Sequence, residues 1–123
     1  MTGVQTCALP ISPDPRVTDG LGAALDWARA RLDKPLTVQD LAREAGLSTR
    51  QLARRMFAET GLTPLGWLHR QRIVRAQDLL ERTEASVEQI AARSGMGTAT
   101  TLRRRFHQAV GVSPTAYRTA FRG

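Results

Sequence analysis

The feature that most constrains the fold of this 123-residue chain is an internal repeat. Residues 37–42 (TVQDLA) match residues 86–91 (SVEQIA), and Gly46 matches Gly95, at an offset of 49 residues. After one extra residue the match continues at an offset of 50, through Leu52 and Leu102, Arg54 and Arg104, Arg55 and Arg105, Gly61 and Gly111, Pro64 and Pro114, and Trp67 and Tyr117. Agreement at caps, turn glycines and apolar positions indicates that one supersecondary unit occurs twice.

Helix caps, stop signals and apolar spacing predict helices along the whole repeat. Thr37 followed by Asp40 predicts a capping box for a short helix that Gly46 ends. Pro35 ends the helix before it, because proline has no amide proton to donate. Seven helices are expected, over about residues 20–32, 37–45, 48–60, 64–82, 86–94, 98–110 and 113–121. No alternating strand pattern appears, so the predicted fold class is all-α.

Each repeat unit consists of a short helix, a tight turn and a longer helix, which is the helix-turn-helix arrangement. The two tandem helix-turn-helix subdomains are expected at about residues 37–62 and 86–112, joined by a long linker helix at about residues 64–82. In this arrangement the first helix braces the second, and the second enters the major groove of DNA. Two αα-corners of an ordinary helical bundle would use the same turn. Two copies, each with a basic second helix, favour DNA binding over that alternative.

Helical periodicity assigns a core side and an outward side to each second helix. Leu52 and Met56 share the core side in the first unit, and Leu102 and Phe106 share it in the second. The outward residues are then Arg50, Gln51, Arg54 and Phe57 in the first unit, and Thr100, Thr101, Arg104 and His107, with Arg103 on the flank, in the second.

The outward side chains suit the edges of base pairs. Arginine can bind guanine, glutamine can bind adenine, and threonine offers a hydroxyl and a methyl group for thymine. Arg50 and Arg54 are predicted to contact bases, whereas Arg55 and Arg105 are turned aside and predicted to contact phosphate or to be surface charge. Phe57 is expected to pack against the long helix, or else against a thymine methyl or a sugar. The candidate DNA-binding residues are Ser48, Thr49, Arg50, Gln51, Arg54, Arg55, Thr98, Thr100, Thr101, Arg103, Arg104 and Arg105.

The charge distribution also points to a polyanionic partner. The net charge is +7, and Lys34 is the single lysine, so arginine carries nearly all of the positive charge. A high-GC genome would itself favour arginine codons, but it does not explain their placement. No acidic residue follows Glu88, whereas six arginines do: Arg93, Arg103, Arg104, Arg105, Arg118 and Arg122. A one-sided basic half is the pattern expected of a nucleic-acid-binding protein.

Other classes of protein lack support in the sequence. Cys7 is the single cysteine, and His69 and His107 are the only histidines, so neither a disulfide framework nor a zinc site is expected. No apolar run approaches the ~20 residues of a membrane span. An enzyme is not expected, because no acid/base pair, nucleophile with a histidine or phosphate loop is present, and no cofactor is expected either. RNA binding is disfavoured by the absence of an aromatic stacking platform.

Beyond these patterns, the chain resembles the C-terminal DNA-binding domain of the AraC/XylS family of bacterial transcription regulators, over about residues 21–121. The most specific part is Gly95 followed by residues 101–118 (TLRRRFHQAVGVSPTAYR). Residues 60–80 are similar to the subgroup that carries an N-terminal amidotransferase-like (PfpI-type) domain. Two positions depart from the family's pattern. Met56 replaces an aromatic residue, and Ala53, often polar in relatives, cannot hydrogen-bond to a base.

This resemblance implies that two recognition helices of one chain bind successive major-groove segments. Its base-contacting positions correspond here to Arg50 and Arg54, and to Thr100, Thr101, Arg103 and Arg104. It implies double-stranded operator or promoter DNA as the partner, with RNA polymerase as a further candidate and no membrane, in the bacterial cytoplasm at the nucleoid. The alternative function is a basic helical protein–protein interaction module with an acidic partner.

The N-terminal residues are not expected to belong to the domain at residues 20–123. Residues 1–12 (MTGVQTCALPIS) have neither the basic region nor the cleavage site of a signal peptide and resemble translated sequencing adapter, so they are interpreted as a non-native leader. Residues 13–19 are expected to be a linker, because their prolines favour extended backbone. A sensor domain is expected upstream in the full-length protein.

Overall fold

The computed structural model describes residues 16–123, with side chains described from Gly20 onward. These residues form no strand and seven helices: α1 (Arg16–Arg29), α2 (Val38–Ala45), α3 (Thr49–Thr60), α4 (Pro64–Arg82), α5 (Val87–Ser94), α6 (Ala99–Val110) and α7 (Pro114–Arg122). The prediction of an all-α fold with seven helices is confirmed. The interpretation of residues 1–12 as a leader lies outside the described residues.

Capping boxes define where α2, α3 and α5 begin. Each begins with a reciprocal capping box, in which the cap hydroxyl accepts from a backbone amide three residues on and that residue's side chain accepts from the cap amide. The boxes are Thr37 with Asp40, Ser48 with Gln51, and Ser86 with Gln89. The box predicted at Thr37 is confirmed.

The first helix differs from its predicted span at both ends. α1 begins at Arg16, inside the segment expected to be a linker, and ends at Arg29 instead of Leu32. The amide of Arg31 donates to the carbonyl of Ala28 at 2.9 Å, an i to i+3 bond that tightens the chain where the helix ends. The apolar spacing extends to Leu32, which is buried although it lies beyond the helix, and this explains the longer prediction.

The described chain divides into two compact units. The first contains α1, α2 and α3, and the second contains α4 from Leu65 onward, α5, α6 and α7 together with the Leu32–Pro35 loop. In the first unit α1 packs on α2, and α2 on α3. Its buried apolar residues are Leu21, Ala24, Ala28, Leu41, Ala42, Ala45, Leu52 and Met56.

The second unit has a core to which all four of its helices contribute. Ile73, Ala76, Leu80, Ala85, Ile90, Ala91, Met96, Leu102 and Phe106 form one buried cluster, and Tyr117 packs against it. The rings of Phe106 and Tyr117 meet edge to face, with centroids 5.4 Å apart. The hydroxyl of Tyr117 also donates to Glu81, and this hydrogen bond raises the pKa of Tyr117 above its ordinary value. The core therefore holds α6 between the long helix and α7.

The turn glycines of the two repeat units have the same backbone conformation but different surroundings. Gly46 and Gly95 both adopt positive φ, at 71° and 83°. A Cβ at Gly46 would meet nothing within 4 Å, whereas one at Gly95 would overlap the carbonyl oxygen of Leu32 and lie 2.6 Å from Nε of Arg72. Gly95 is therefore needed for close approach as well as for its backbone conformation.

We expect Gly95→Ala to destabilise the protein more than Gly46→Ala does. Both variants force an L-residue into the left-handed region, at a cost of about 1–2 kcal/mol. Gly95→Ala adds a clash with backbone, which should cost about 1–3 kcal/mol more. Chemical denaturation of both variants measures the difference, and equal losses of unfolding free energy would contradict the close approach of the Leu32–Pro35 loop.

Candidate nucleic-acid interface

The outward face of α3 is set by two fully buried residues. Leu52 and Met56 are both 0% exposed, as predicted. The opposite side of the helix then presents Arg50 and Arg54, which are exposed and form no ion pair among the described residues. Thr49 is also exposed, in the first turn. These side chains are available to a ligand without first breaking an internal contact.

Two of the candidate residues, Ser48 and Gln51, form the capping box at the start of α3. The amide of Gln51 donates to Oγ of Ser48 at 3.1 Å, and the amide of Ser48 donates to Oε1 of Gln51 at 3.0 Å. Bidentate binding of adenine uses both the oxygen and the nitrogen of a glutamine amide. The bond to Ser48 restrains the Gln51 side chain, so both residues have a capping role in this structure.

Phe57 does not pack as predicted. Its side chain is 63% exposed, so the expectation that it packs against the long helix is wrong. Position 57 follows the buried Met56 by one residue, and a rotation of about 100° carries it off the core side. The other prediction for Phe57, contact with a thymine methyl or a sugar, stays a prediction.

Arg55 lies on the flank of α3 and is half-buried. Its Nη2 lies 4.0 Å from a carboxylate oxygen of Glu59, one turn further along the helix. A partly exposed pair of this kind contributes little to stability. Arg55 therefore places its positive charge beside the outward face.

The outward face of α6 is set in the same way, by Leu102 and Phe106, each 0% exposed. Thr100, Arg103 and Arg104 are exposed, and neither arginine has an ion pair in the part of the chain that the structure describes. Both helices therefore present unpaired arginines, and Arg54 and Arg104 occupy corresponding positions.

Thr98 and Thr101 hold the start of α6. The amide of Thr101 donates to Oγ1 of Thr98 at 3.2 Å, and the two hydroxyls are 3.1 Å apart. Thr101 is half-buried. Thr98 is therefore an N-cap, and Thr101 is less accessible than its neighbours Thr100 and Arg104.

Arg105 contacts a residue that the sequence pattern does not single out. Its Nη1 lies 2.9 Å from Nδ1 and 2.7 Å from Nε2 of His69 on α4. Burial, followed by the positive charges of Arg105 and Arg72, lowers the pKa of His69 below its ordinary value. His69 and Arg72 lie 36 and 33 positions before Arg105 in the sequence, so no local motif predicts that these side chains meet.

Two arginines at the C-terminus stabilise the end of α4. Arg118 donates from Nη2 to the carbonyl of Thr83 at 2.9 Å, and Arg122 does so at 2.7 Å. Both belong to the basic C-terminal half whose charge predicts a polyanionic partner. Because donors of both guanidinium groups are bound to backbone carbonyls, these two arginines are less available to a ligand than the outward arginines, although their charge still adds to the basic half.

Neither a metal site nor a membrane span is found in the described part of the chain. No group of three histidine, cysteine or acidic residues could hold an ion there. None of the helices is long and apolar enough to span a membrane.

A family model and the similar curated proteins all identify this chain as a helix-turn-helix domain. The model of the helix-turn-helix domain family matches residues 41–120. The chain is 41% identical over 93 residues to the HTH-type transcriptional regulator Rv1931c of Mycobacterium tuberculosis, covering 76% of this chain and 36% of that protein. It is 34% identical over 94 residues to the HTH-type transcriptional activator RhaS of Shigella boydii, covering 76% and 34%. The chain thus spans about a third of the length of these curated relatives.

Two solved structures are similar over nearly their whole length. The DNA-binding domain of AdpA, a global transcriptional factor solved in complex with a target DNA, has 40% identity and a TM-score of 0.81, covering 85% of this chain and 94% of that one. An AraC-type DNA-binding domain protein from Chromobacterium violaceum has 26% identity and a TM-score of 0.79, again covering 85% and 94%. This chain belongs to the family of AraC-type helix-turn-helix domains of transcriptional regulators.

Proposed function

We propose that this chain is the sequence-specific DNA-binding domain of a bacterial transcription regulator, with α3 and α6 each entering a major groove. The observation that carries this proposal is that both helices expose unpaired arginines opposite a fully buried pair of core residues. The AdpA domain, similar in sequence and in fold, was solved on its target DNA.

The outward side chains divide into two kinds of contact. Arg54 and Arg104 occupy equivalent central positions, and a guanidinium there can bind O6 and N7 of guanine. Arg50, Arg103 and Thr100 supply further base or sugar contacts. Phosphate contacts add affinity without sequence preference, and Arg55 suits that role because it lies on the flank.

Each unit presents its second helix by the same means. Ser48 and Thr98 hold the N-termini of α3 and α6 through side-chain hydrogen bonds to backbone amides. In helix-turn-helix proteins the N-terminal residues of this helix contact the base edges. The caps therefore order the part of each helix that would lie deepest in the groove.

The wider role of the full-length protein is proposed on the family resemblance. Regulation of transcription by this domain would involve RNA polymerase and a sensor domain upstream, of the amidotransferase-like type in view of residues 60–80. A cytoplasmic location at the nucleoid follows from binding chromosomal DNA. Sequencing the open reading frame upstream of residue 13 would test the sensor domain directly.

Arg54→Ala and Arg104→Ala should each weaken binding to the selected operator by about 1–3 kcal/mol and relax the base preference at one position, because each removes a guanine contact. Competition binding against single-base variants of the operator measures this. Arg82→Ala is the matched control, since that arginine is exposed, lies outside both recognition helices and pairs with Asp78. Equal losses on selected and random DNA would reassign Arg54 and Arg104 to phosphate contacts.

The binding site of a single chain should be asymmetric, with two half-sites centred about 10–10.5 base pairs apart. The half-sites should differ because the two helices expose different residues, and tandem binding by one chain requires a fixed spacing between them. Selection from random DNA followed by footprinting identifies the site. A palindromic site, a single protected groove, or tolerance of several inserted base pairs between the half-sites would exclude tandem binding.

Affinity for DNA should fall linearly with salt on a double-logarithmic plot, with a slope of about −0.9 for each phosphate contacted. Replacing Arg55 by alanine should reduce the magnitude of the slope by about one. The measurement also separates DNA binding from the alternative of a module for acidic proteins. A slope near zero, together with indifference to DNA sequence, would favour that alternative.

A further inference from the structure

A small basic cavity lies within the second unit, behind the outward face of α6. His69 and Arg72 of α4, Gly95 and Met96 of the turn between α5 and α6, and Arg105 of α6 line it. Its volume is about 90 Å³. Three nitrogen-rich side chains therefore converge on one concave site.

The two guanidinium groups of the cavity have no carboxylate partner among the described residues. Arg72 donates from Nε to the carbonyl of Leu32 at 3.2 Å and from Nη2 to that of Lys34 at 3.0 Å. Within residues 16–123, Nη1 of Arg72 contacts no acceptor, and neither do Nε and Nη2 of Arg105, whose Nη1 faces His69. Partly buried positive charges that lack a counter-charge are costly, and a bound anion would offset that cost.

The contact with Arg105 defines the charge of His69. A guanidinium only donates hydrogen bonds, so the ring nitrogen that accepts from Arg105 must be unprotonated. A protonated His69 would set two cations against each other at that distance. Its burial and the charges of Arg105 and Arg72 lower the pKa of His69, which agrees with a neutral ring. The turn contributes only Gly95 and Met96, which do not titrate.

We propose that this cavity is a binding site for a tetrahedral oxyanion of the phosphate and sulfate class, and that binding there is coupled to proton uptake by His69. The planar forks of Arg72 and Arg105 suit such oxygens, because guanidinium groups bind phosphate through parallel hydrogen bonds. The same chemistry would accept free phosphate or a phosphodiester of a nucleic acid. The site goes beyond the proposed function, since neither guanidinium belongs to the outward arginines that would contact bases.

The direction of the coupling follows from the charges. With the cavity empty, Arg72 and Arg105 disfavour a positive charge on His69. An oxyanion between them counteracts both, so protonation becomes easier once the anion is bound. Linkage is reciprocal, so the protonated protein must bind the anion more tightly than the neutral one. Affinity should therefore rise as the pH falls through and below the ordinary histidine value of 6.5.

Sulfate is the appropriate first probe, because its charge does not change between about pH 5 and pH 8, where histidine titrates. The ring protons of His69 are followed by NMR across this range in sodium sulfate and in sodium chloride of equal ionic strength. We expect the titration of His69 to move to higher pH in sulfate and not in chloride. Sulfate affinity, measured by chemical shift, should tighten severalfold from the upper to the lower end of the range.

Matched variants locate the effect in the cavity. Arg105→Gln should abolish the response of His69 to sulfate, whereas Arg82→Gln, which removes an exposed arginine outside both recognition helices, should leave it intact. Thermal melts show whether each variant is folded. Should Arg105→Gln fail to fold, His69→Gln provides a second test, because it should still bind sulfate but lose the pH dependence of that binding.

A DNA titration identifies the source of the oxyanion and separates this proposal from the proposed function. A shift of His69 with the selected duplex as well as with sulfate assigns the cavity to a backbone phosphate, and a shift with sulfate alone assigns it to a free anion. The proposal is overturned if His69 responds to neither, responds equally to chloride, or still responds in folded Arg105→Gln. Specific DNA binding could persist in each of those cases, and sulfate binding could persist if specific DNA binding failed.

Discussion

The burial of one apolar pair on each recognition helix is the constraint on which the rest of this structure depends. Leu52 and Met56 on α3, and Leu102 and Phe106 on α6, have no exposed surface. Two residues four positions apart share one side of a helix, so burying both fixes the rotation of the helix about its own axis. Once that rotation is fixed, the identity of the outward residues is fixed as well. A change that loosened the core would therefore alter which side chains reach a ligand.

Arginine has two distinct roles here, and net charge does not separate them. Arg72 donates to the carbonyl of Lys34, and Arg122 donates to that of Thr83. The two arginines are 50 positions apart and the two acceptors 49 positions apart, which are the offsets of the repeat. The repeat thus includes an arginine that ties a trailing helix to the loop before a helix-turn-helix unit. These arginines satisfy backbone oxygens beyond helix ends, where no intrahelical donor is available. The outward arginines Arg50, Arg54, Arg103 and Arg104 form no such bond among the described residues and are available to a polyanion.

How far the sequence predicts the structure depends on the range of each interaction. Caps, stop glycines and core spacing involve neighbours within a few residues, and for this reason the limits of α2 and α3 and the buried faces of α3 and α6 follow from the sequence. The contact between His69 and Arg105 joins residues that are 36 positions apart in the sequence. The hydrogen bond from Arg118 to the carbonyl of Thr83 joins residues that are 35 positions apart. No periodicity encodes such pairs. The prediction for Phe57 failed for a different reason. Its apolar side chain suggests that it packs in a core, but its position on the helix leaves it exposed.

The two units share their scaffold and differ in what they expose. Hydroxyl caps, left-handed glycines and a buried apolar pair occur in both units. The outward positions agree only at the central arginine. Arg50 corresponds to Thr100, Ala53 to Arg103 and Phe57 to His107. Substitutions at exposed helix positions usually change stability little, whereas substitutions at caps and core positions are costly. The two units can therefore share one fold while they present different surfaces to DNA.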